Sequence, residues 1–160
     1  MMDVPAFIGL KKATDHMAIV LDSYQRHFNE PLVPAKGDFN TVLEALWEAD
    51  FALLSHGTES DPVFNFGNIT ALKLFEMEFK DFTCLPSRKS AEEITQQERK
   101  RLLEEVSKNG CIRNYAGIRI SSSGKRFYIE NARVWNLIDE GGRYYGQAAM
   151  FRSWKNMEQP

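Results

Sequence analysis

Ser55 and His56, which follow the apolar run Phe51-Ala52-Leu53-Leu54, are the first residues of this chain that could take part in catalysis. A serine beside a histidine can act as a nucleophile, because the histidine removes the hydroxyl proton. Adjacent side chains of a strand point to opposite faces, however, and no acidic residue to orient the histidine and no oxyanion loop is recognisable. The pattern therefore predicts a structural role for this pair at the end of a strand.

Other catalytic arrangements are not recognisable in the sequence. It contains no glycine-rich phosphate loop, no cluster with metal-ligand spacing and no paired carboxylates of the kind that hydrolases use. Cys84 and Cys111 are too far apart to suggest a metal site, and a reduced state is expected for both. Asn68 is predicted to cap a helix rather than to bind a ligand. We therefore expect a protein that is not an enzyme and that holds no metal.

Length, composition and charge narrow the class of protein. The chain has 160 residues, of which 43% are hydrophobic and 26% charged, as in a globular domain. Its net charge of -2 argues against a general nucleic-acid surface, which needs a basic face. No apolar run is long enough to cross a bilayer, and residues 1–10 lack the pattern of a secretory signal. We expect a cytoplasmic protein that binds neither membranes nor nucleic acid.

The stretch at residues 111–154 is the part of the chain around which the other elements are arranged. It is rich in β-branched and aromatic residues and is interrupted by Ser121-Ser122-Ser123-Gly124 and Asp139-Glu140-Gly141-Gly142. Such small residues and glycines make tight turns, so the stretch predicts three antiparallel strands. Two shorter strands are predicted near residues 51–54 and 63–66, with helices before and after them. One five-stranded antiparallel sheet with helices packed on one face, an α+β fold, would explain this order.

Alternation along the first long strand predicts which of its side chains face the core. One parity carries the apolar residues together with one amide; its members are Ile112, Asn114, Ala116, Ile118 and Ile120. In the second long strand, Phe127 shares its parity with Trp135, although polar Asn131 and Arg133 lie between them on the same parity. Either a bulge resets the register there, or two polar residues face the core.

A helix is predicted before the sheet, over residues 15–28. Its apolar stripe is Met17, Val20, Leu21, Tyr24 and Phe28. Pro31 and Pro34 follow it, so we divide the chain into an N-terminal helical extension at 1–37 and a domain at 38–160. An apolar stripe must be covered, and we expect a second copy of the chain to cover it in a homodimer. The alternative is that the helix folds back on its own sheet.

The predicted order of elements is that of PAS domains, and the residues themselves resemble one family. FALLSHGTESDPVFNFGNITALKLFEMEFKDFTCLPSRKSAE, NYAGIRISSSGKRFYIENARVWNLID and YYGQAAMF are similar to the MEKHLA domain family, over about residues 42–154. Plant members of this family lie at the C-terminus of homeodomain–leucine-zipper transcription factors. This chain lacks the literal Met-Glu-Lys-His-Leu-Ala peptide and a homeodomain, so the resemblance implies a stand-alone, bacterial-type member. It implies a PAS-like regulatory module, not the plant role in transcription.

The resemblance also implies a ligand cavity between the sheet and the helices. The light-sensing flavin branch of the PAS fold uses side-chain amides from the three long strands. Asn114-Tyr115 resembles its Asn-Tyr pair, and Gln147 lies near the place of its terminal glutamine. The candidate ligand contacts are Asn114, Asn136, Gln147, Trp135, Phe64 and Phe75. The alternative for Asn114 is a buried amide that the backbone satisfies.

A flavin itself is not expected in that cavity. Cys84 lies roughly where the flavin branch keeps its photoreactive cysteine, but the surrounding Asn-Cys-Arg-Phe-Leu-Gln motif of that branch is absent. The cofactor is therefore unknown.

Two functions are consistent with these observations. The first is a sensory or regulatory module that binds a small hydrophobic or planar molecule and signals to a protein partner. The second is an interaction or dimerisation domain whose interior is filled by its own side chains. Whether the aromatic residues fill the interior or line a void decides between them; these are Phe64, Phe66, Phe75, Phe127, Trp135 and Phe151.

Overall fold

The computed structural model describes residues 11–34, 37–91 and 93–157, and an antiparallel sheet runs through its centre. The strands are β1 (Ala52–His56), β2 (Phe64–Gly67), β3 (Cys111–Ile120), β4 (Arg126–Ile138), β5 (Tyr144–Phe151) and β6 (Ser153–Asn156). The helices are α1 (Lys11–Phe28), α2 (Phe39–Trp47), α3 (Ile69–Phe75), α4 (Phe79–Phe82) and α5 (Glu93–Asn109). The strand order is β2-β1-β5-β4-β3, and β6 pairs with the first half of β4. The predicted α+β fold is therefore confirmed.

The Asn68 helix cap and the two tight turns form where the sequence predicts them. The side chain of Asp38 accepts a hydrogen bond from the Thr41 amide at 2.9 Å and caps α2. Asn68 caps α3, because its side-chain oxygen accepts from the Ala71 amide at 3.1 Å. Gly124 and Gly142 turn the chain with φ angles of 91° and 79°, in the left-handed region that glycine adopts without strain.

Helices cover both faces of the sheet. On the face that we call the inner face, α3 and α4 pack over β1 and β2, and α5 packs over β3 and β4. On the opposite, outer face, α1 packs against β4, where Trp135 contacts Tyr24 and Phe28 edge to face at centroid distances of 5.0 and 5.9 Å. Helices thus lie on both faces of the sheet rather than on the one face predicted, and buried residues of both faces form one continuous core.

The position of α1 corrects the predicted dimer interface. The stripe residues Met17, Val20, Tyr24 and Phe28 are buried in the same core as the sheet, and Leu21 is half-buried against it. The stripe therefore packs inside the chain, which is the alternative that the sequence left open. The outer face of β4 is also apolar, so packing the stripe against it removes both apolar surfaces from water. The predicted N-terminal extension shares its core with the domain.

Two bulges between β3 and β4 change which side chains face inward. Ile112 pairs with Val134 and Tyr115 with Ala132, so Arg113 and Asn114 together face one residue of β4. Further along, Gly117 pairs with Ile129, and the extra residue lies in β4 near Asn131, which has a φ of 51°. Of the two alternatives that the sequence left open for β4, the bulge is therefore the one that forms.

The bulge in β3 has no counterpart in the prediction, and it reverses the faces assigned to that strand. Beyond it, Tyr115, Gly117 and Arg119 face the inner side, whereas Asn114 and Ala116 are exposed and Ile118 is half-buried. The predicted core face of β3 is thus right at Ile112 and wrong from Asn114 onward.

Candidate functional site

A cavity of about 70 Å³ lies between the inner face of the sheet and helices α3 and α5. It is lined mainly by apolar side chains, with a few polar groups among them. The residues that line it include Leu54, His56, Phe64, Phe75, Leu102, Tyr115, Arg119, Val134, Gln147 and Phe151. Ligand pockets commonly measure about 300 Å³ or more, so this cavity suits only a very small molecule.

Aromatic side chains fill most of the space around the cavity. Phe64 stacks on Phe82 at a centroid distance of 4.3 Å, and Phe75 meets the edge of Phe127 at 5.2 Å. Phe64 and Phe75 are two of the predicted ligand contacts, and both line the cavity. The predicted contact Trp135 does not, because it lies on the outer face beneath α1. Trp135 was predicted to face the cavity because the sequence pattern does not show that the opposite face of the sheet is also buried.

The three predicted amides are only partly brought together. Gln147 Nε2 donates to Asn136 Oδ1 at 3.0 Å, and Asn136 Nδ2 donates to the Val106 carbonyl in the last turn of α5 at 2.9 Å. The backbone amide of Asn136 also donates to the carbonyl of Gly110 at 2.8 Å. Two buried amides therefore tie the end of α5 to the sheet. The third, Asn114, is exposed beside the β3 bulge and does not line the cavity.

A tyrosine, a glycine and an arginine on β3 form a group that the sequence analysis missed. Arg119 donates to the hydroxyl of Tyr115 at 2.7 Å, and its guanidinium lies 5.4 Å from the centre of that ring. Gly117 lies between them on the same face, where a Cβ would stand 2.4 Å from the Tyr115 hydroxyl. The missing side chain of Gly117 therefore makes room for the pair. The sequence contains the pattern Tyr-x-Gly-x-Arg, but the charge of Arg119 is typical of an exposed position, so the face that carries these residues was not assigned to the core.

A second glycine allows β5 to approach β1 closely at the edge of the cavity. Gly146 has a φ of 148°, and a Cβ there would stand 2.2 Å from the carbonyl oxygen of His56. Any larger residue would push the two strands apart at this point. Gly146 thus keeps His56 and Gln147, which are paired across these strands, beside the cavity.

Ser55 and His56 behave as their adjacent positions predict. Ser55 meets α1 on the outer face, where its hydroxyl donates to Asn65 Oδ1 at 2.5 Å and contacts His16 Nε2 at 3.1 Å. His56 lines the inner cavity, and its Nδ1 lies 2.9 Å from the carbonyl of Gly57. No nucleophilic pair forms between them.

Ser55 instead meets a histidine that comes from a distant part of the chain, which the sequence could not indicate. A hydroxyl has one hydrogen, and that of Ser55 is used on Asn65, so His16 Nε2 donates to Ser55 and His16 Nδ1 accepts from Tyr145 at 3.0 Å. Burial lowers the pKa of His16 from 6.5 to about 4, which keeps the ring neutral. The chain of bonds fastens α1 to three strands.

Two classes of site are not found in the part of the chain that the structure describes. Among those residues, no three histidine, cysteine or acidic side chains are grouped to hold a metal ion. None of the described helices is both long enough and apolar enough to span a bilayer. Cys84 and Cys111 are both free thiols.

The same fold occurs in solved PAS domains. A PAS domain from Colwellia psychrerythraea superposes with a TM-score of 0.62 over 74% of this chain and 95% of its own, at 10% identity. An RNA-binding light-oxygen-voltage receptor gives a TM-score of 0.62 over 79% of this chain and 35% of its own, at 14% identity. At these identities the likeness shows the fold alone.

Curated proteins and one family profile extend the comparison to sequence. Homeobox-leucine zipper protein HOX29 of Oryza sativa subsp. japonica is 28% identical over 142 residues, which make up 84% of this chain and 16% of that protein. Homeobox-leucine zipper protein ATHB-14 of Arabidopsis thaliana is 27% identical over 117 residues, 72% of this chain and 14% of its own. The chain thus spans less than a fifth of these relatives. The profile of the MEKHLA domain matches residues 14–156, nearly the whole sequence, and the chain therefore belongs to the MEKHLA domain family.

Proposed function

We propose that this chain is a sensory or regulatory module in which a small molecule occupies the inner cavity and α5 reports its presence to a protein partner. The observation that carries the proposal is the hydrogen-bonded link from the cavity to the helix. Gln147 lines the cavity and bonds Asn136, which in turn bonds the carbonyl of Val106 on α5. A molecule that changes the position of Gln147 would also change how firmly the end of α5 is held.

Helix α5 is suited to be the reporting element. Among its described side chains, Leu102 and Val106 pack on Val134, with Ile112, Tyr115 and Ala149 beside them. Parts of a fold can open locally at a lower free energy than global unfolding, so a change in one buried hydrogen bond can shift the stability of the end of α5. We propose that the protein partner contacts the exposed, mixed-charge face of α5, which includes Lys100 and Glu104. The stripe on α1 is covered and is not part of that contact.

Further parts of the proposal concern chemistry and compartment. We assign no catalytic step, which the burial of Ser55 and its bonds to Asn65 and His16 support. The free cysteines fit a reducing, cytoplasmic compartment. A flavin is not part of the proposal, because the cavity of about 70 Å³ is far smaller than such a ring system needs.

The proposal is tested by native mass spectrometry of freshly purified protein, followed by hydrogen exchange of α5. We expect a small retained mass, no absorption band near ~450 nm of the kind a bound flavin gives, and slower exchange in the last turn of α5 when the ligand is present. Ala149→Ile, which adds volume to the cavity wall, should remove the retained mass. Ala116→Ile, the same change at an exposed position of β3, is the matched control and should keep it.

A second function is an interaction domain with no ligand, which the tight aromatic packing of Phe64, Phe75 and Phe82 favours. In that case no mass is retained, Ala149→Ile leaves partner binding unchanged, and exchange in α5 does not respond to small molecules.

A further inference from the structure

Arg119 is a buried cation in an apolar part of the inner face. Its residue surface is 9% exposed, and it lines the cavity together with Phe64, Phe75 and Leu102. A buried charge is costly unless an opposite charge or a full set of hydrogen bonds compensates it. The contacts of its guanidinium group therefore indicate what the cavity is built to hold.

The described contacts of Arg119 are neutral. One terminal nitrogen donates to the carbonyl of Ile118 at 2.8 Å and the other to the hydroxyl of Tyr115 at 2.7 Å. Within the ranges 11–34, 37–91 and 93–157, the salt bridges include no carboxylate partner for this arginine. A guanidinium has five N–H donors, so three remain after these two bonds.

The remaining donors and the size of the cavity define a ligand. Arginine binds a carboxylate through two parallel N–H bonds, and such charge-assisted bonds are about twice as strong as neutral ones. Since an apolar cavity of about 150 Å³ holds the six carbon atoms of benzene, one of about 70 Å³ holds roughly three non-hydrogen atoms. The apolar walls favour a ligand that also has a small apolar end, such as a C–H or a methyl group.

We propose that the cavity binds a short-chain carboxylate of the size of formate or acetate, with the guanidinium of Arg119 as its counter-ion. This inference rests on the proposed function, because it names the chemical class of the small molecule that the module senses. Tyr115 and Gly117 position the arginine: the ring supports the guanidinium, and the glycine leaves room for the ring.

The test is an NMR and melting-temperature titration of the full chain with sodium acetate, formate, nitrate and chloride at constant ionic strength, and with neutral acetamide. We expect saturable shifts of the Gly117 amide and the Arg119 side-chain N–H with acetate and formate, and a melting temperature that rises with their concentration. Nitrate, a planar oxyanion with neither a C–H nor a methyl end, should bind more weakly, and chloride and acetamide should not saturate.

Variants separate the role of the charge from that of the fold. Arg119→Met should weaken acetate binding about tenfold or more, because two charge-assisted bonds are lost. Arg143→Met, the same change on the exposed β4–β5 turn, should leave binding unchanged. If Arg119→Met does not fold, Ala149→Ile keeps the arginine and should block acetate by filling the cavity.

The outcomes distinguish this inference from the proposed function. Acetate binding that survives Arg119→Met, or acetamide binding as tight as acetate binding, would overturn the carboxylate inference while the cavity remained a ligand site. Tighter binding of nitrate than of acetate would also overturn it, in favour of an inorganic oxyanion. If no probe binds the wild type and the purified protein retains no mass, both the inference and the proposed function are wrong.

Discussion

His16 Nε2 lies 3.1 Å from Ser55 Oγ, which joins the first helix to the second-to-last residue of β1. The two residues are 39 positions apart in the sequence, and both are buried. His16 also accepts a hydrogen bond from Tyr145 on β5, so one neutral imidazole links α1 to two strands of the outer face. A neutral buried histidine makes the docking of α1 sensitive to acid.

We therefore predict a loss of stability in mild acid. The pKa of His16 is 6.5 in the unfolded chain and about 4 in the fold, so between these values the unfolded state binds a proton that the folded state does not. The contribution is complete above about pH 6.5 and is lost as the pH falls toward 4, by roughly 3 kcal/mol in total. Urea unfolding at several pH values measures it.

A matched pair of histidine variants tests the assignment. His16→Gln should flatten the dependence of unfolding free energy on pH in this range. The pKa of His27 is also lowered by burial, but His27 is only partly buried, so His27→Gln should retain most of the acid sensitivity. Equal profiles for His16→Gln and the wild type would contradict the prediction.

Asn68 should be worth much more to stability than an ordinary helix cap. Its oxygen accepts from the amides of Leu53 and Ala71, and its nitrogen donates to the carbonyls of Leu46 and Phe51. Asn68→Ala leaves these buried backbone groups without partners, so we expect a loss of about 3 kcal/mol or more in unfolding free energy.

The matched control for Asn68 is Asp38→Ala at the exposed cap of α2, which should cost about 1 kcal/mol. Chemical denaturation of both variants measures the difference. Similar losses would show that Asn68 acts only as a cap.

Because the stripe on α1 is buried within the chain, we expect charged substitutions in it to unfold the protein and not to dissociate a dimer. Val20 and Tyr24 are 1% and 2% exposed, so the double change Val20→Glu and Tyr24→Glu buries two carboxylates beneath Trp135. We expect a loss of roughly 4 kcal/mol or more, seen in thermal melts. Gln25→Glu with Arg26→Glu, on the exposed side of the same helix, should cost little. A well-folded Val20→Glu and Tyr24→Glu protein with a smaller mass than the wild type in light scattering would instead support the predicted dimer interface.

Ile118 of β3, compared with Ile129 of the neighbouring β4, tests the reversed face of β3. Ile129 is 4% exposed and lines the cavity, whereas Ile118 is half-buried on the other face. Ile129→Asp should cost several kcal/mol, and Ile118→Asp about 1 kcal/mol, because only the first places a charge in the core. Thermal melts that rank the two variants the other way would show that the bulge at Asn114 does not reverse the strand.

Local patterns in the sequence determined the elements and the fold. Helix caps such as Asp38 and Asn68, and turn glycines such as Gly124 and Gly142, act through bonds and dihedral angles within a few residues, so their sequence signals are direct. The order of these elements, together with the family resemblance, was enough for an α+β, PAS-like architecture.

The candidate site depended on register, which the sequence could not supply. One extra residue near Asn114 reverses the faces of β3 beyond it. As a result Tyr115 and Arg119, and not the predicted Asn114, line the cavity. Alternation cannot show such a bulge, because it changes no residue type.

Tertiary packing decided the remaining questions. The sequence showed that α1 needed a cover, but a second copy and its own sheet offer the same apolar contact, and only the position of Trp135 beneath Tyr24 distinguishes them. The link between His16 and Ser55, and the size of the cavity, likewise depend on residues that are distant in the sequence and meet only when the chain folds.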